Sequence, residues 1–290
     1  DMIRAKRQPW SSIKPLIYAY AMQNLPLTLD TPIFDIPMEI GENEPKNVDD
    51  KFLGIVPVKK ALAWSRNIPA IKTYFAAWEE QKIVPFLQNI WLKSLDKDSD
   101  YWYSIALWAG EVSMLEMTQA YSHLSRLWNT VEINPILEIR DDNWNIIYTK
   151  EKENLTQYIE EWAAYLIRKI LSNDANLPSG RASVLRVYGF ANWTKSWTSN
   201  MVDKEDNNKP RDAWLALYTP SKVAFSRAWN ADWQPLTDKW YGWRLNWPVM
   251  KSFFEKLQEK WLMSQENMSP KEIRQIKINN RQKKKKKKKE

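Results

Sequence analysis

The chain has 290 residues, 44% of them hydrophobic, and is long enough to bury the core of one large domain or two small ones. Its formal net charge is +8, but residues 271–290 hold eleven Lys or Arg against two Glu, which leaves −1 for residues 1–270 and argues against a nucleic-acid partner. The absence of cysteine excludes disulfides, thiolate metal sites and a cysteine nucleophile.

The first stretch that suggests chemistry is Arg7–Pro15, which carries Ser11 and Lys14 at Ser-x-x-Lys spacing. The apolar pattern after it predicts a helix over Leu16–Gln23. Residues three apart share a helix face, so the Lys14 amine is expected to reach the Ser11 oxygen and take its proton. The only histidine, His123, falls in a helix-like run and is interpreted as a packing or surface residue, so serine chemistry here needs lysine as its base. Taken alone, the spacing also fits a polar helix start capped by serine.

The rest of the chain predicts helices first and strands later. A stretch rich in Pro, Asp and Glu, Asn24–Asn47, predicts an extended loop. Apolar residues at helical spacing predict helices over Val56–Leu62, Ile68–Ala77, Lys82–Ile90, Ser113–Leu127 and Leu155–Leu171. The later segments are predicted strands at Ser183–Phe190, Ala213–Tyr218 and Val223–Ala228, a polar loop at Asp203–Arg211, and a last amphipathic helix over Pro248–Leu262. This order predicts an α+β domain.

Tryptophan is abundant where glycine is expected. The chain contains 18 Trp and only 6 Gly, whereas glycine makes up about 7% of ordinary proteins. Between the strand-like runs Ile136–Ile139 and Ile146–Tyr148, Trp144 stands in a hairpin turn that favours Asn-Gly, where it would need a positive φ. Converting 17 Trp to Gly would give 23 Gly, about 8% of the chain. We hypothesise that these positions are UGA codons that the source organism reads as glycine; the alternative is a Trp-rich binding surface.

Three short motifs follow one another along the chain: Ser11-x-x-Lys14, Ser65-Arg66-Asn67 and Lys195-Ser196-Trp197-Thr198. With glycine at position 197, the last becomes Lys-Ser-Gly-Thr. Together they resemble the Ser-x-x-Lys, Ser-x-Asn and Lys-Thr/Ser-Gly motifs of penicillin-binding proteins and serine β-lactamases. Longer segments resemble the transpeptidase domain of bifunctional, class A penicillin-binding proteins: Arg7–Pro15, Ala61–Ala70, Leu107–Met117 and Asp212–Pro220. The resemblance covers roughly residues 3–262, and the family pattern itself calls for Trp214.

The resemblance implies a fold and a reaction. The fold is the α+β fold of penicillin-binding proteins and serine β-lactamases, an antiparallel sheet flanked by helices with a helical lobe. In the implied reaction, Ser11 attacks the carbonyl between the two terminal D-alanines of a peptidoglycan stem peptide, with Lys14 as the base. Ser65 would relay a proton to the leaving group, and Asn67 would hold the substrate amide.

The third motif is implied to bind the substrate. Lys195 and Ser196 would bind its terminal carboxylate, and the backbone N–H groups of Ser11 and Thr198 would form the oxyanion hole. A second stem peptide would resolve the acyl-enzyme, β-lactams would inhibit it, and no cofactor or metal is implied. The edge strand packs against the substrate, so a tryptophan side chain at Trp197 is expected to block binding.

The resemblance also predicts the organisation of the chain. Residues 1–262 would form a partial transpeptidase domain with three of the family's five sheet strands, because two strands precede Ser-x-x-Lys in the family. The Lys-rich residues 263–290 are expected to be disordered and could contact an anionic polymer or lipid. The start at Asp1 indicates a fragment, with a membrane anchor and a glycosyltransferase domain expected upstream and the domain on the extracytoplasmic face of the cell membrane.

Two rival functions remain open at this point. A serine β-lactamase or D,D-carboxypeptidase would use the same nucleophile and pass the acyl group to water. The Glu-x-x-Leu-Asn signature of class A β-lactamases is absent from the sequence, which argues against the first of these. A catalytically inactive peptidoglycan-binding module is what the literal sequence, with Trp197, would give.

Overall fold

The computed structural model describes residues 3–77, 80–96, 99, 101–107, 109–125, 132–150, 156–172, 174–177, 185, 187, 191–202, 208–230, 232, 234–236, 242–260 and 262. Two predictions from the sequence lie outside these ranges. One is the tail over residues 263–290. The other is the strand Ser183–Phe190, of which Leu185 and Val187 alone are described.

The described part of the chain places most helices before the main sheet. The α-helices are α1 Lys14–Asn24, α2 Val58–Ala63, α3 Asn67–Ala76, α4 Glu80–Asn89, α5 Met114–Ser125, α6 Glu161–Ser172 and α7 Gly242–Glu259. The strands are β1 Pro32–Asp35, β2 Gly54–Pro57, β3 Glu138–Arg140, β4 Ile146–Thr149, β5 Trp193–Val202, β6 Asn208–Tyr218 and β7 Val223–Trp229. Short 3-10 turns lie at Trp10–Ser12, Trp102–Ala106 and Asp174–Asn176.

The main sheet contains β5, β6 and β7 in that order, antiparallel throughout. Since side chains alternate along a strand, the sheet has two distinct faces. On one face, Leu215 and Leu217 of β6 pack with Phe254 of α7. On the other, Trp214 and Tyr218 of β6 belong to the larger core that includes α1, α5 and α6. In the described sheet β5 is an edge strand, which is the position that the family resemblance implied for the Lys195 motif. The strands predicted from the sequence pattern did not include β5 itself.

Helix α1 lies in the middle of the larger core. Its apolar residues are completely buried: Leu16, Ile17, Tyr18, Ala19, Ala21 and Met22. A helix without a polar face must be surrounded, and α1 is covered by α3, α4 and α6. Pro15 lies in its first turn, where the missing N–H leaves no helical hydrogen bond unmade. Burial of the whole helix fixes the position of its first residue, Lys14.

The predicted hairpin around Trp144 is confirmed. β3 and β4 pair antiparallel on either side of it, and Trp144 has a φ of 65°. The Asp141 carboxylate accepts the backbone N–H of Asn143 at 2.9 Å and of Asn145 at 2.8 Å. Asp141 thus closes the turn with its side chain, as aspartate commonly does.

Two predictions about the first third of the chain were wrong in part. The stretch Asn24–Asn47 is not loop throughout, because Pro32–Asp35 forms β1 and pairs with β2. The helix predicted over Val56–Leu62 begins at Val58, because the residues before it belong to β2. A four-residue strand is too short to show the alternation that identifies strands in sequence.

Three later predictions also differ from the structure. Residues 208–211 of the polar loop predicted over Asp203–Arg211 belong to β6, and the rest of that prediction lies outside the described residues. The helix predicted from Leu155 begins at Glu161. The last helix begins at Gly242 and contains Pro248 in its interior, although a proline there removes one helical hydrogen bond.

Candidate active site

Ser11 lies on the 3-10 turn Trp10–Ser12, directly before α1. Within the turn, the Ser12 N–H donates to the Pro9 carbonyl at 3.1 Å. The Tyr121 hydroxyl of α5 donates to the Ser12 carbonyl at 2.7 Å, and β5 also packs against the turn. Both α5 and β5 therefore hold the turn, with Ser11 half-buried.

The Ser65-Arg66-Asn67 triplet joins α2 to α3. The Ser65 N–H donates to the Leu62 carbonyl and the Arg66 N–H to the Ala61 carbonyl, both at 3.0 Å, which is the Schellman pattern of a helix end. Ser65 occupies the left-handed position of that motif, with a φ of 57°, where glycine is usual. A residue with a side chain costs about 1–2 kcal/mol there, and such strain is typical of functional sites.

Lys14 brings the first two motifs together. Its side chain is completely buried, and its Nζ donates to the Ser65 carbonyl at 2.8 Å, the Arg66 carbonyl at 3.4 Å and Oδ1 of Asn67 at 2.6 Å. All three acceptors are neutral oxygens of one turn. In the described part of the chain, no carboxylate is a partner of Lys14.

The environment of Lys14 favours a neutral amine. Burial lowers the pKa of the Lys14 amine well below its usual value, and the positive charges of Lys195 and Arg66 lower it further. A protonated amine would be buried without a counter-ion, which is unfavourable. The lowered pKa moves Lys14 towards the neutral amine that a general base requires. The three oxygen acceptors act in the opposite direction, because only the protonated amine has three N–H bonds to donate.

Lys195 of β5 brings the third motif to the same place. Its Nζ donates to Ser65 Oγ at 2.9 Å and to the Ser196 carbonyl at 3.0 Å. Although it lies on an edge strand, the residue is only 5% exposed, so its charge is directed towards Ser65 rather than to solvent. Ser196 and Thr198, on the opposite face of the strand, are half-buried.

Trp197 lies on the same face of β5 as Lys195. Its ring stacks on Trp214 with centroids 5.0 Å apart and lies edge-on to Phe225 at 5.9 Å. It is 4% exposed, and its Nε1 is buried without a hydrogen-bond partner. The ring thus fills the core behind the strand and does not cover the solvent side of the edge. The side chain was expected to stand in the way of the substrate, and it lies behind the strand instead.

The sequence profile of the penicillin binding protein transpeptidase domain matches residues 1–232. The chain belongs to this family. The match covers most of the chain and includes all three motifs of the transpeptidase site, so the family assignment made from the motifs is confirmed.

Curated relatives are penicillin-binding proteins of bacteria. The chain is 28% identical over 233 residues to penicillin-binding protein 1A/1B of Bacillus subtilis, covering 76% of this chain and 25% of the relative. It is 26% identical over 234 residues to penicillin-binding protein 1A of Neisseria flavescens, with 76% and 27% covered. The chain therefore spans about a quarter of the length of these relatives.

Solved transpeptidase structures share the fold. Penicillin-binding protein 1A from Haemophilus influenzae has a TM-score of 0.75 at 21% identity, covering 92% of this chain and 44% of that one. A penicillin-binding protein from Mycobacterium tuberculosis has a TM-score of 0.76 at 18% identity, covering 93% and 72%. The D,D-transpeptidase domain of a peptidoglycan glycosyltransferase from Eggerthella lenta has 0.70 at 15%, covering 91% and 68%. The predicted penicillin-binding protein fold is thus confirmed.

The structure brings together four residues predicted for the transpeptidase site: Lys14, Ser65, Asn67 and Lys195. Ser11 lies on the adjoining turn, but the expected hydrogen bond from Lys14 to Ser11 is not formed in the described part of the chain. The Lys14 amine is held instead by the Ser65–Asn67 turn. Within the described ranges, no group of three His, Asp or Glu side chains is arranged to hold a metal ion.

Sequence reasoning missed the residues behind the Ser65–Asn67 turn. Arg66 was named only as the middle of its motif, and Asp35 and Asn47 were assigned to a loop. All three are buried and hydrogen-bonded to one another or to the turn. In the sequence, these residues are single polar side chains among Pro and apolar residues. Asn47 and Arg66 lie 12 and 31 positions from their partner Asp35, and no local pattern identifies partners at such separations.

Proposed function

We propose that the chain is a D,D-transpeptidase domain that cross-links peptidoglycan stem peptides through an acyl-enzyme on Ser11. The main support is the hydrogen-bonded cluster in which Lys14, Ser65, Asn67 and Lys195 meet beside the Ser11 turn. These residues come from three motifs. Lys14 lies more than 50 positions before Ser65, and Lys195 lies 130 positions after it. The substrate is carried over from the family to which the chain belongs.

Acylation uses Ser11 as the nucleophile. Its Oγ attacks the carbonyl carbon between the two terminal D-alanines, and its proton passes to the neutral amine of Lys14. The C–N bond then breaks, and Lys14 passes this proton through the hydroxyl of Ser65 to the departing D-alanine amine. Before substrate binds, this hydroxyl accepts a hydrogen bond from Lys195, which orients it.

The third motif holds the substrate. Lys195 and the Ser196 hydroxyl bind the terminal carboxylate through charge-assisted hydrogen bonds, and the Asn67 amide binds the peptide backbone. The backbone N–H groups of Ser11 and Thr198 stabilise the oxyanion, where one donor is worth about 100- to 1,000-fold in rate.

Deacylation completes the cross-link. An amine of a second stem peptide attacks the acyl carbon and loses a proton to Lys14. The bond from the acyl carbon to Ser11 Oγ then breaks, and Ser11 Oγ takes that proton from Lys14. A β-lactam follows the first half of this path, because opening of its ring by Ser11 leaves a covalent adduct. No cofactor takes part.

The second candidate function is an inactive peptidoglycan-binding module. It is favoured by Trp197, whose ring occupies the core directly behind the substrate-binding strand. The same β5 strand packs against the Ser11 turn, so a large ring at this position could displace the nucleophile from the strand. A module of this kind would bind stem peptides without forming an adduct.

We place the active site outside the cytoplasm, where peptidoglycan is cross-linked, with a membrane anchor upstream in the natural protein. Among the helices in the described ranges, none is both long and apolar enough to cross a bilayer. The Lys-rich residues 263–290 are proposed to contact an anionic polymer or lipid.

The test of the proposed function is covalent labelling by a fluorescent penicillin, followed by peptide mass mapping. We expect the label on Ser11 and its loss in Ser11→Ala. Lys14→Met should slow labelling by about 100- to 10,000-fold, because the general base is lost.

The matched control is Ser12→Ala. Ser12 is the adjacent serine and is completely buried, and its hydroxyl donates a hydrogen bond to the Pro9 carbonyl. This variant should keep the label. Equal labelling of Ser11→Ala and the parent would refute the nucleophile, whereas rapid release of hydrolysed penicillin would favour a β-lactamase.

A further inference from the structure

A polar cluster lies behind the Ser65–Asn67 turn, and we call it the Arg66 cluster: Asp35, Asn47, Asp49 and Arg66. Three of its members are buried, whereas the Asp49 side chain is 47% exposed. Asp35 is 0%, Asn47 3% and Arg66 5% exposed. Buried charges are tolerated only when they are paired and hydrogen-bonded. The cluster is not part of the motifs that contact substrate in the proposed reaction, so its burial requires another explanation.

Asn47 uses both ends of its amide. Its Nδ2 donates to Asp35 Oδ1 at 2.8 Å and to the Lys51 carbonyl at 2.9 Å. Its Oδ1 accepts the backbone N–H of Asn67 at 2.7 Å. Helix α3 begins at Asn67, and its own N-cap residue, Arg66, provides no side-chain cap. Asn47 therefore caps α3 from 20 positions upstream in the chain.

Arg66 connects the other side of the turn to the same acids. Its Nε donates to Asp35 Oδ2 at 2.8 Å, and its Nη1 donates to both oxygens of Asp49 at 2.8 Å. Its Nη2 donates to the Lys51 carbonyl. Asp35 thus holds both Arg66 and Asn47, one through each carboxylate oxygen.

The turn held in this way provides every hydrogen-bond acceptor of the Lys14 amine in the described part of the chain. It also contains Ser65 in the strained left-handed conformation. A strained turn relaxes unless its surroundings hold it. Relaxation would move two carbonyl oxygens and the Asn67 amide away from Lys14 together.

We propose that Asn47 and Asp35 are positioning residues of the transpeptidase site, which hold the Ser65–Asn67 turn so that its oxygens orient the Lys14 amine. The inference rests on the proposed function of Ser11 and Lys14. Neither Asn47 nor Asp35 contacts the substrate; both act through the turn.

The test compares Asn47→Asp, Asp35→Asn and the double variant in the full-length protein with a fluorescent penicillin. Asp at position 47 still accepts the Asn67 N–H, so the cap of α3 is kept. It loses the donor to Asp35 and places a second carboxylate against it. In the double variant, the amide at position 35 can donate to the carboxylate at position 47. The hydrogen bond between the two positions is thus restored, and the net charge is unchanged.

We expect each single variant to slow the covalent step by about 10- to 100-fold, the usual cost of a misplaced catalytic group. Noncovalent binding of penicillin should change little, because Lys195 and Ser196 are untouched. The double variant should recover at least tenfold. Its recovery is the readout that a merely structural role would not produce.

The pH profile provides a second readout. Lys14 is surrounded by Lys195 from β5 and Arg66 from the turn, and both charges remain in the variants. A looser turn exposes the amine to water and weakens the desolvation that keeps it neutral. The pH at half-maximal acylation should therefore rise in Asn47→Asp and return towards the parent value in the double variant.

The control is Asp30→Asn, which makes the same chemical change as Asp35→Asn. Asp30 is 78% exposed and pairs with Lys59 at 2.6 Å, away from the turn. Single variants that acylate as fast as this control, or a double variant that does not recover, would overturn the inference. An unlabelled parent would refute the proposed function instead. If Asn47→Asp does not fold, Asn47→Ser, which adds no charge, takes its place.

Discussion

Left-handed backbone positions are dominated by tryptophan in this molecule. The described part of the chain has six non-glycine residues with positive φ, and four of them are Trp10, Trp91, Trp102 and Trp144. At about 1–2 kcal/mol each, these four would cost about 4–8 kcal/mol, which is comparable to the whole stability of a domain, about 5–15 kcal/mol. The positions are those that glycine prefers, and they support the hypothesis that UGA encodes glycine here.

Trp144→Gly is expected to stabilise the domain. The side chain is 76% exposed, and the Arg140 guanidinium lies 5.8 Å from the ring centroid. Relief of the left-handed strain should outweigh the greater freedom of glycine in the unfolded chain. We expect the free energy of unfolding to rise by about 0.5–1 kcal/mol, measured by urea denaturation.

Trp162→Gly is the matched control, because Trp162 lies inside α6 with helical backbone and is half-buried. The same substitution should lower the free energy of unfolding there by about 1 kcal/mol or more. Equal effects at the two positions would contradict the strain argument. Independently, mass spectrometry of the native protein that finds tryptophan at position 144 would refute the recoding hypothesis.

At the scale of elements, the long periodic helices and the hairpin around Trp144 were predicted, whereas the short strands β1 and β2 were not. The buried faces of α3, α5 and α6 repeat at helical spacing over ten residues or more, which is a strong signal. β1 has only four residues, and its burial is set by pairing with β2 across an 18-residue connection. Its location depends on a partner that the local sequence does not specify.

Helix α5 carries a buried titratable group that should make the fold sensitive to acid. His123 is 1% exposed, and burial lowers the pKa of its imidazole from 6.5 to about 4. Between these pH values the unfolded chain binds a proton that the folded chain does not. The free energy of unfolding therefore falls as pH falls from about 6.5 to 4, by about 3 kcal/mol in total.

The contribution can be isolated because His123 is the only histidine of the chain. His123→Gln removes the titrating group and keeps a polar side chain. Its unfolding free energy should depend less on pH between 7 and 5 than that of the parent, measured by denaturant unfolding at each pH. Parallel curves for the two proteins would contradict the prediction, because they would mean that the pKa of His123 is the same in the folded and the unfolded chain.

At the scale of the whole molecule, the active site joins the helical core to the sheet. The motifs predicted which residues lie together at the candidate site, but not that the Lys14 amine would be held by the Ser65–Asn67 turn rather than by Ser11. The Asn47 cap of α3 was likewise unpredictable. It depends on the hairpin of β1 and β2, which places a residue of one loop against the end of a distant helix.

Trp197 lies where the helical core meets the sheet, and its replacement by glycine tests whether the literal sequence is obstructed. Lys195, two residues before it on the same strand face, reaches Ser65, and β5 packs on the Ser11 turn. Trp197→Gly should therefore raise the rate of acylation by a fluorescent penicillin by about tenfold or more. This gain is smaller than the loss of rate that a misplaced nucleophile causes. Removing the ring leaves a cavity, which lowers the free energy of unfolding. It also removes the buried, unpartnered Nε1, and this gain offsets part of that loss.

Trp193→Gly is the control, because Trp193 lies on the same face of the same strand and is 2% exposed. Its ring packs against Tyr218 at 5.3 Å and Arg168 at 4.5 Å, away from the Ser65 hydroxyl that Lys195 contacts. This variant should lose stability, by about 3–5 kcal/mol for a large buried ring, without a gain in acylation. If Trp197→Gly acylates no faster than the parent, Trp197 does not obstruct the site. A gain in both variants would mean that loosening the core, rather than clearing position 197, accelerates the reaction.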